Sequence, residues 1–445
     1  MELLELVEIC QGEVIKGDLD KYKKIRNLKL DSQKIKKNDL FIALKGKRFD
    51  GHDFILEAIK KGASAVIVEK ETAIETEIPI IKVKSTYDSL KKIAIYKREL
   101  NKIPLIAVTG SAGKTMTKDL IGAVLSPKYR VLINEKSDNN HIGVPKTLFN
   151  LNKRDEIIVL ELGMNHQGEI KELSKICQPD VGVITNIGTA HIGNLGTKKN
   201  IFQAKMEILE GMNNGKLIIN GDDKFLNKID KSKIGIITSG IKKNNHLIAS
   251  EIKCSLFKTT FKIKVDNKEY KVVFNVPGQH LIINVLLAIQ VGLLYEVPLK
   301  TIIKEIELFK TKEKRMEIVK LKKNNILIED CYNSSFESLI GVLELIKNNP
   351  FYKIIILGDI LELGKHSKRI HKKVGHYLKG IPNKEVLLVG EKMKVLEKQY
   401  LHFNNNQDLI KELKEMGISN ALILVKGSRL MKLEEITEYL KEGVC

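Results

Sequence analysis

The hexapeptide Gly110-Ser111-Ala112-Gly113-Lys114-Thr115 follows the apolar run 105–108 and precedes Thr117, Leu120, Ile121 and Val124, which are spaced as on one face of a helix. Strand, glycine-rich turn and helix in that order commit the surrounding chain to a parallel α/β sheet. The same order aims backbone N–H groups and the positive end of a helix dipole at an anion. Lys114 can then reach the outer phosphates of a nucleoside triphosphate, and Thr115 can ligate Mg²⁺. Thr109 to Thr115 are accordingly the expected nucleotide cradle. The general pattern G-x-x-x-x-G-K-[ST] requires glycine where this chain has Val108, so its loop is two residues shorter. An ordinary glycine-rich turn capped by Ser or Thr is the alternative; the flanking strand and helix favour phosphate.

At 445 residues the chain is long for one core, and a prior of roughly 150 residues per domain suggests about three. Short strands at 41–44, 65–68 and 80–83 with a helix at 54–61 make a small α/β unit over 1–102, ending in a polar hinge at 99–102 before Pro104. Strands at 105–108, 157–160 and 181–185 alternate with helical stretches in a central unit over 103–311. Within it, 246–276 alternates polar and apolar residues around an Asp266-Asn267 turn, which predicts antiparallel strands on the edge of the parallel sheet. Strands at 326–328, 354–357, 386–389 and 421–425 predict a third, doubly wound unit over 312–445. The fold class is α/β in three domains, with clefts on both sides of the nucleotide.

Composition narrows the partners. The net charge of +20 invites nucleic acid or a polyanionic small substrate, but the excess is lysine spread along the chain without a dense basic tail. Aromatic residues are 5% with no Trp, leaving few platforms for stacking bases, so no nucleic-acid partner is expected. No apolar stretch approaches the roughly 18 residues of a membrane span, and the start, MELLELVEIC, is acidic; no membrane insertion and a cytoplasmic location are expected. Cys10, Cys177, Cys254, Cys331 and Cys445 lack C-x-x-C spacing, which reads as reduced thiols and not as a zinc site.

Several residues can carry chemistry. Glu161 stands at the end of the strand 157–160, where a parallel sheet presents a carboxylate to a metal at the phosphate loop; otherwise it is a solvated strand end. His191 follows the strand 181–185, and a lone histidine there is equally readable as structural. Lys205 falls inside the apolar stripe Ile201, Ala204, Ile208, Leu209 and Met212 of a helix over 201–212. It must snorkel, pair, or lose its proton, and a neutral amine can add CO₂ to give a metal-binding carbamate. Asp330, with Tyr332 and Asn333, closes a strand and suits ribose or phosphate. Arg315 sits at the junction of the second and third units, within reach of phosphate. Lys426 and Arg429, in a segment read as opening a helix, suit a carboxylate, although each basic residue is also readable as surface charge. His366 and His371 are five apart, poor metal-ligand spacing on a helix.

Ordered along the chain are DSQKIKKNDLFIALKGKRFDGHDF (31–54), TGSAGKT (109–115), NNHIGVP (139–145), ELGMNHQGEI (161–170), NIGTAH (186–191), AKMEI (204–208), VPGQH (276–280), EDCYNSSFESL (329–339), LGDILELG (357–364) and VKGSR (425–429). In these the chain resembles the bacterial Mur ligases, ATP-dependent amide-forming enzymes of cell-wall precursor synthesis, which carry the compact phosphate loop. The 161–170, 330–339 and 357–364 motifs look like the member that adds the terminal dipeptide. The resemblance implies that MgATP activates the carboxylate of UDP-N-acetylmuramoyl-tripeptide as an acyl phosphate, which the amine of D-alanyl-D-alanine attacks. It further implies that Thr115 and Glu161 hold one of two Mg²⁺ ions while His191 and carbamylated Lys205 serve the other. Asn284 would contact adenine, Arg315, Asp330 and Asn333 would complete the ATP site, and Asn139 and Asn140 would lie near the acceptor. Segment 31–54, with Ser32, Lys45 and Gly46, would hold the UDP-sugar, Lys426 and Arg429 the dipeptide, and the enzyme would be a monomer. The chain departs from the family pattern at Gln33, where arginine is usual, and at His141, Gly193 and Leu281.

Overall fold

A computed structural model describes residues 1–443 except 23, 47–48, 136–137, 231–234 and 313, so Cys445 and part of the 31–54 segment lie outside the described residues. Three sheets follow one another along the chain. The first holds β1 (Glu13–Lys16), β2 (Leu28–Lys29), β3 (Asp39–Ile42), β4 (Ala63–Val68) and β5 (Ile80–Lys82) in the order β1-β5-β4-β3-β2, with β1 antiparallel. Its central strand β4 is a run of small and β-branched residues, every one buried, as expected where helices cover both faces.

The second sheet comprises β6 (Leu105–Thr109), β7 (Val131–Ile133), β8 (Ile157–Glu161), β9 (Val181–Ile184), β10 (Lys216–Asn220), β11 (Gly235–Gly240), β12 (Leu247–Cys254), β13 (Thr259–Val265) and β14 (Lys268–Phe274). Its order is β14-β13-β12-β11-β10-β9-β6-β8-β7. The β12–β14 edge is antiparallel, and Asp266 and Asn267, with φ of 48° and 61°, make the hairpin turn. Because β6 lies between β8 and β9, the strand order reverses at its C-terminal end, the place where open α/β sheets bind ligands.

The third sheet contains β15 (Glu317–Lys320), β16 (Ile326–Asp330), β17 (Tyr352–Gly358), β18 (Lys384–Val389), β19 (Leu401–Phe403) and β20 (Ala421–Lys426), ordered β15-β16-β20-β17-β18-β19. One buried apolar cluster runs without a break from the second sheet into the third unit, from Leu105 and Val108 to Leu339, Val342 and Ile355. The two units are therefore packed together.

Three expectations are corrected. The helix carrying Lys205 is α-helical only over Lys198–Met206 and continues as a 3-10 turn over Glu207–Gly211. There the Ser174 hydroxyl donates to the Ile208 carbonyl and accepts from Gly211 N–H at 3.1 Å, drawing those groups out of helical bonding. Lys426 does not open a helix but ends β20, and Arg429–Met431 is a single 3-10 turn ahead of the helix Glu434–Lys441. The junction at 99–102 is not a free hinge. Buried Arg98, near the end of the helix Thr86–Leu100, donates to the carbonyls of Cys177, Gln178 and Ile103 and pairs with Asp180 at 3.1 Å.

Cys10, Cys177, Cys254 and Cys331 are free thiols, and among the described residues no helix is long and apolar enough to cross a membrane.

Candidate active site

The turn after β6 opens the helix Lys114–Leu125, whose inward face carries Thr117, Leu120, Ile121 and Val124. Gly113 caps it with φ 79°, and a Cβ there would stand 2.5 Å from Asn284 Oδ1, so both backbone and packing require glycine. The Ser111 and Ala112 N–H groups donate to Asn186 Oδ1 at 3.1 and 2.9 Å, and Lys114 Nζ donates to the Gly110 carbonyl at 2.9 Å. Burial holds the Lys114 ammonium below the usual lysine range; Arg315 adds to this, while Glu161 and Glu362 oppose it.

Glu161 ends β8 and is only 2% exposed. Thr115 Oγ1 donates to its Oε2 at 2.7 Å and Asn139 Nδ2 to its Oε1 at 2.8 Å. Asn134 clamps the backbone behind it, accepting from Glu161 N–H at 2.9 Å and donating to its carbonyl at 3.0 Å. Asn140 is a structural cap, its Oδ1 accepting from Ile142 and Gly143 N–H at 3.0 Å.

Lys205 is 1% exposed and does not snorkel. Burial, reinforced by the charge of Lys114 and opposed by Glu161, drives its pKa well below the ordinary lysine value. His191, with a left-handed φ of 61°, places Nδ1 2.8 Å from Glu362 Oε2 of the third unit. That contact, with burial opposing it, holds Glu362 below the usual carboxylate range.

In the third sheet β16 and β20 are neighbours, and Asp330 and Lys426 pair at their C-terminal ends. The buried Lys426 ammonium is bonded to Asp330, which also accepts from Met316 N–H at 3.2 Å, and to the Asn333 carbonyl at 3.2 Å. Tyr332 stacks beneath two guanidinium groups, Arg315 at 3.9 Å and Arg429 at 5.5 Å from its ring centroid.

The C-terminal ends of the second and third sheets thus face each other across a cavity of about 660 Å³. Ser111 to Thr115, Asn139, Asn140, Glu161, His191, Asn284, Arg315, Asp330, Asn333, Lys426 and Arg429 line it. Thr109, Gly110 and Lys205 are not among its lining residues, nor are Ser32, Lys45 and Gly46 of the first unit. There Ser32 Oγ donates to Glu57 at 2.7 Å, and the backbones of Lys45 and Asp50 form an isolated antiparallel β-bridge.

Four further residues belong to this site that the sequence did not single out. Asn186 occupies the loop amides; its signal was an amide side chain just after a strand next to the phosphate-loop strand. Glu362 lay in plain view within LGDILELG. Glu337 accepts from Thr189 N–H at 3.0 Å and Thr189 Oγ1 at 2.8 Å and pairs with Lys198 at 3.0 Å. Half-buried His280 lines the cavity with an inaccessible, unpartnered Nδ1, and desolvation lowers its pKa to about 4. His366 and His371 have structural partners, the Gly196 carbonyl at 2.9 Å and Ile360 N–H at 3.2 Å.

Three family descriptions match consecutive stretches: the Mur ligase family catalytic domain over 24–117, the Mur ligase middle domain over 108–292 and the Mur ligase glutamate ligase domain over 314–429. The chain is 36% identical over 424 residues to the UDP-N-acetylmuramoyl-tripeptide–D-alanyl-D-alanine ligase of Buchnera aphidicola subsp. Baizongia pistaciae, covering 94% of this chain and 92% of that one. A crystal structure of MurF from Acinetobacter baumannii superposes with a TM-score of 0.91 at 30% identity, over 99% of this chain and 98% of that one. MurF ligase from Thermotoga maritima, in complex with ADP, superposes at 0.85 with 28% identity over 94% and 98%.

Proposed function

This chain belongs to the Mur ligase family, and we infer that it is the ATP-dependent ligase joining D-alanyl-D-alanine to UDP-N-acetylmuramoyl-tripeptide, which gives the pentapeptide precursor of peptidoglycan. The observation that carries this reading is the near full-length likeness to ligases of that name, combined with a single cavity that brings together the phosphate loop, Glu161 and the facing strand ends of the third unit.

The chemistry divides into two displacements. A carboxylate oxygen of the tripeptide attacks the γ-phosphorus and the bond to ADP breaks; the dipeptide amine then attacks the acyl carbon, loses a proton, and phosphate departs. Lys114 exchanges the Gly110 carbonyl for phosphoryl oxygens, and the Ser111 and Ala112 amides exchange Asn186 for phosphate. Arg315 adds a second cation to the transferring group. Asn284 contacts adenine, Asp330 and Asn333 the ribose, and Asn139 and Asn140 the acceptor side. Ser32, Lys45 and Gly46 of the 1–102 domain hold the UDP-sugar. Lys426 is committed to Asp330 and shapes the cavity, while Arg429, paired with Glu434 at 2.9 Å on a side chain 56% exposed, turns from that surface pair to meet the dipeptide carboxylate.

The donor set suits Mg²⁺. Thr115 and Glu161 offer hard oxygen atoms within 2.7 Å of each other, and among the described residues no group of three His, Cys, Asp or Glu is gathered. Few protein oxygens beside nucleotide phosphates is how Mg²⁺ is commonly bound. The ion supplies neutralisation of charge developing on the phosphoryl oxygens. Lys205, buried and driven by desolvation toward its neutral form, would add CO₂ by forming an N–C bond and releasing a proton. The resulting carbamate would turn its repulsion with Lys114 into attraction and, with His191, would be what holds a second ion. The enzyme acts as a monomer in the cytoplasm, with domains 1–102, 103–311 and 312–445.

A coupled assay tests this directly: phosphate appears from ATP only when both UDP-N-acetylmuramoyl-tripeptide and D-alanyl-D-alanine are present. Release indifferent to the dipeptide overturns the assignment.

A further inference from the structure

The backbone around Arg315 is set before its side chain meets any partner. Lys314 and Met316 on either side have φ of 55° and 52°, left-handed conformations that a non-glycine residue keeps only where its surroundings impose them. Here the Lys314 N–H donates to Glu317 Oε1 at 2.8 Å, the Met316 N–H donates to Asp330 Oδ1 at 3.2 Å, and the Lys314 ammonium pairs with Glu438 at 3.1 Å. The Arg315 side chain is secured differently. Its Nε is buried without a hydrogen-bond partner among the described residues, and the guanidinium lies 3.9 Å from the centroid of the Tyr332 ring. A second guanidinium, that of Arg429 in the turn after β20, lies 5.5 Å from the same centroid. Tyr332 follows the end of β16, and all three residues line the cavity. Two like charges on one ring repel each other, and an anion bound at each of them relieves that repulsion.

We propose that Tyr332 is a positioning residue for both partners of the second displacement: its ring holds Arg315 toward the phosphoryl group and Arg429 toward the dipeptide carboxylate, and so sets the spacing between the two anions. An extended dipeptide spans about 7 Å. The carboxylate held by Arg429 and the amine that must reach the acyl carbon, next to the phosphoryl group, are therefore one dipeptide length apart. A rigid ring with both guanidinium carbons no more than 5.5 Å from its centroid fixes the two cations on that scale. The inference rests on the roles given to Arg315 and Arg429 above and adds the residue that orients both.

Steady-state kinetics of the full-length enzyme, with each substrate varied in turn, test it. Tyr332→Leu keeps apolar volume and removes the aromatic face. It is expected to raise KM for D-alanyl-D-alanine and to lower kcat, each roughly 5–30-fold, the range between a half-exposed and a desolvated cation–π contact. KM for UDP-N-acetylmuramoyl-tripeptide, held by the first unit, is expected to move far less. Tyr332→Phe restores the ring and is expected to recover both constants. In an Arg429→Ala background, Tyr332→Leu is expected to leave the dipeptide KM where Arg429→Ala has put it while still lowering kcat, a split that general damage to the fold does not produce. Equal losses in Tyr332→Phe and Tyr332→Leu overturn the inference, as does a dipeptide KM that rises in Arg429→Ala but not in Tyr332→Leu. If Arg429→Ala itself leaves the dipeptide KM unmoved, the role given to Arg429 falls and this inference with it.

Discussion

Thr115 Oγ1 donates to Glu161 Oε2 at 2.7 Å, joining the phosphate loop to the end of a neighbouring strand. The contact follows from the sheet: Val108 pairs with Glu161 across β6 and β8, so the turn that follows β6 must pass over that carboxylate. With Asn139 donating to its other oxygen, both carboxylate oxygens of Glu161 accept hydrogen bonds and the side chain is fixed in place. Glu161→Gln keeps the shape and removes the charge. It is expected to lower kcat roughly 100-fold or more, the scale of lost transition-state electrostatics, and to raise the Mg²⁺ concentration for half-maximal rate. Steady-state kinetics across a Mg²⁺ series check this; a variant within twofold of the parent contradicts the metal role.

Lys205 is expected to carry carbon dioxide. Carbon-13 NMR of protein equilibrated with labelled bicarbonate should show one carbamate signal that is missing from Lys205→Ala. The same variant should lose about 100-fold or more in turnover, with no response to added bicarbonate. A fully active Lys205→Ala enzyme removes Lys205 from the mechanism.

Half-buried His280 predicts an acid limb in stability. Its folded pKa of about 4 lies below the unfolded value of 6.5, so the unfolded chain takes up the proton first and stability is lost as pH falls from about 6.5 to 4. The full effect is roughly 3 kcal/mol at 1.36 kcal/mol per pH unit. Denaturant unfolding at pH 7 and pH 4.5 should therefore lose less stability in His280→Leu than in the parent; parallel losses contradict the assignment of that limb to His280.

Gly193 is expected to tolerate no side chain. A Cβ there would lie 2.6 Å from Gly364 N and 2.7 Å from the Glu362 carbonyl, both backbone atoms that cannot rotate away. Gly193→Glu, which forces a long side chain into that contact, should loosen the docking of the third unit. Its Gly193–Gly364 region should exchange amide hydrogens at least about tenfold faster, corresponding to roughly 1.4 kcal/mol. Unchanged protection would show that the two loops have room to part.

The sequence made the local half of this site readable. The phosphate loop, Glu161 and the misplaced lysine at 205 each stand out because strand, turn and helix impose short-range patterns, and burial of Lys205 follows from its place in an apolar stripe. What it did not disclose depends on sheet order and docking. Asp330 and Lys426 meet only because β20 inserts between β16 and β17, which no local pattern encodes, so Lys426 read as a free cation. Glu337 and Glu362 read as ordinary acids of the third unit until that unit is seated against the segment 186–198. The helix over 201–212 was read too long because the side-chain bonds of Ser174, from another helix, end it.

The central claim is that ATP activates a carboxylate, and the fate of one oxygen tests it. With ¹⁸O in the C-terminal carboxylate of UDP-N-acetylmuramoyl-tripeptide, ligation to D-alanyl-D-alanine through an acyl phosphate must leave one ¹⁸O in each inorganic phosphate released. Mass spectrometry of that phosphate is expected to find the label in step with amide formed; unlabelled phosphate alongside amide product contradicts the account.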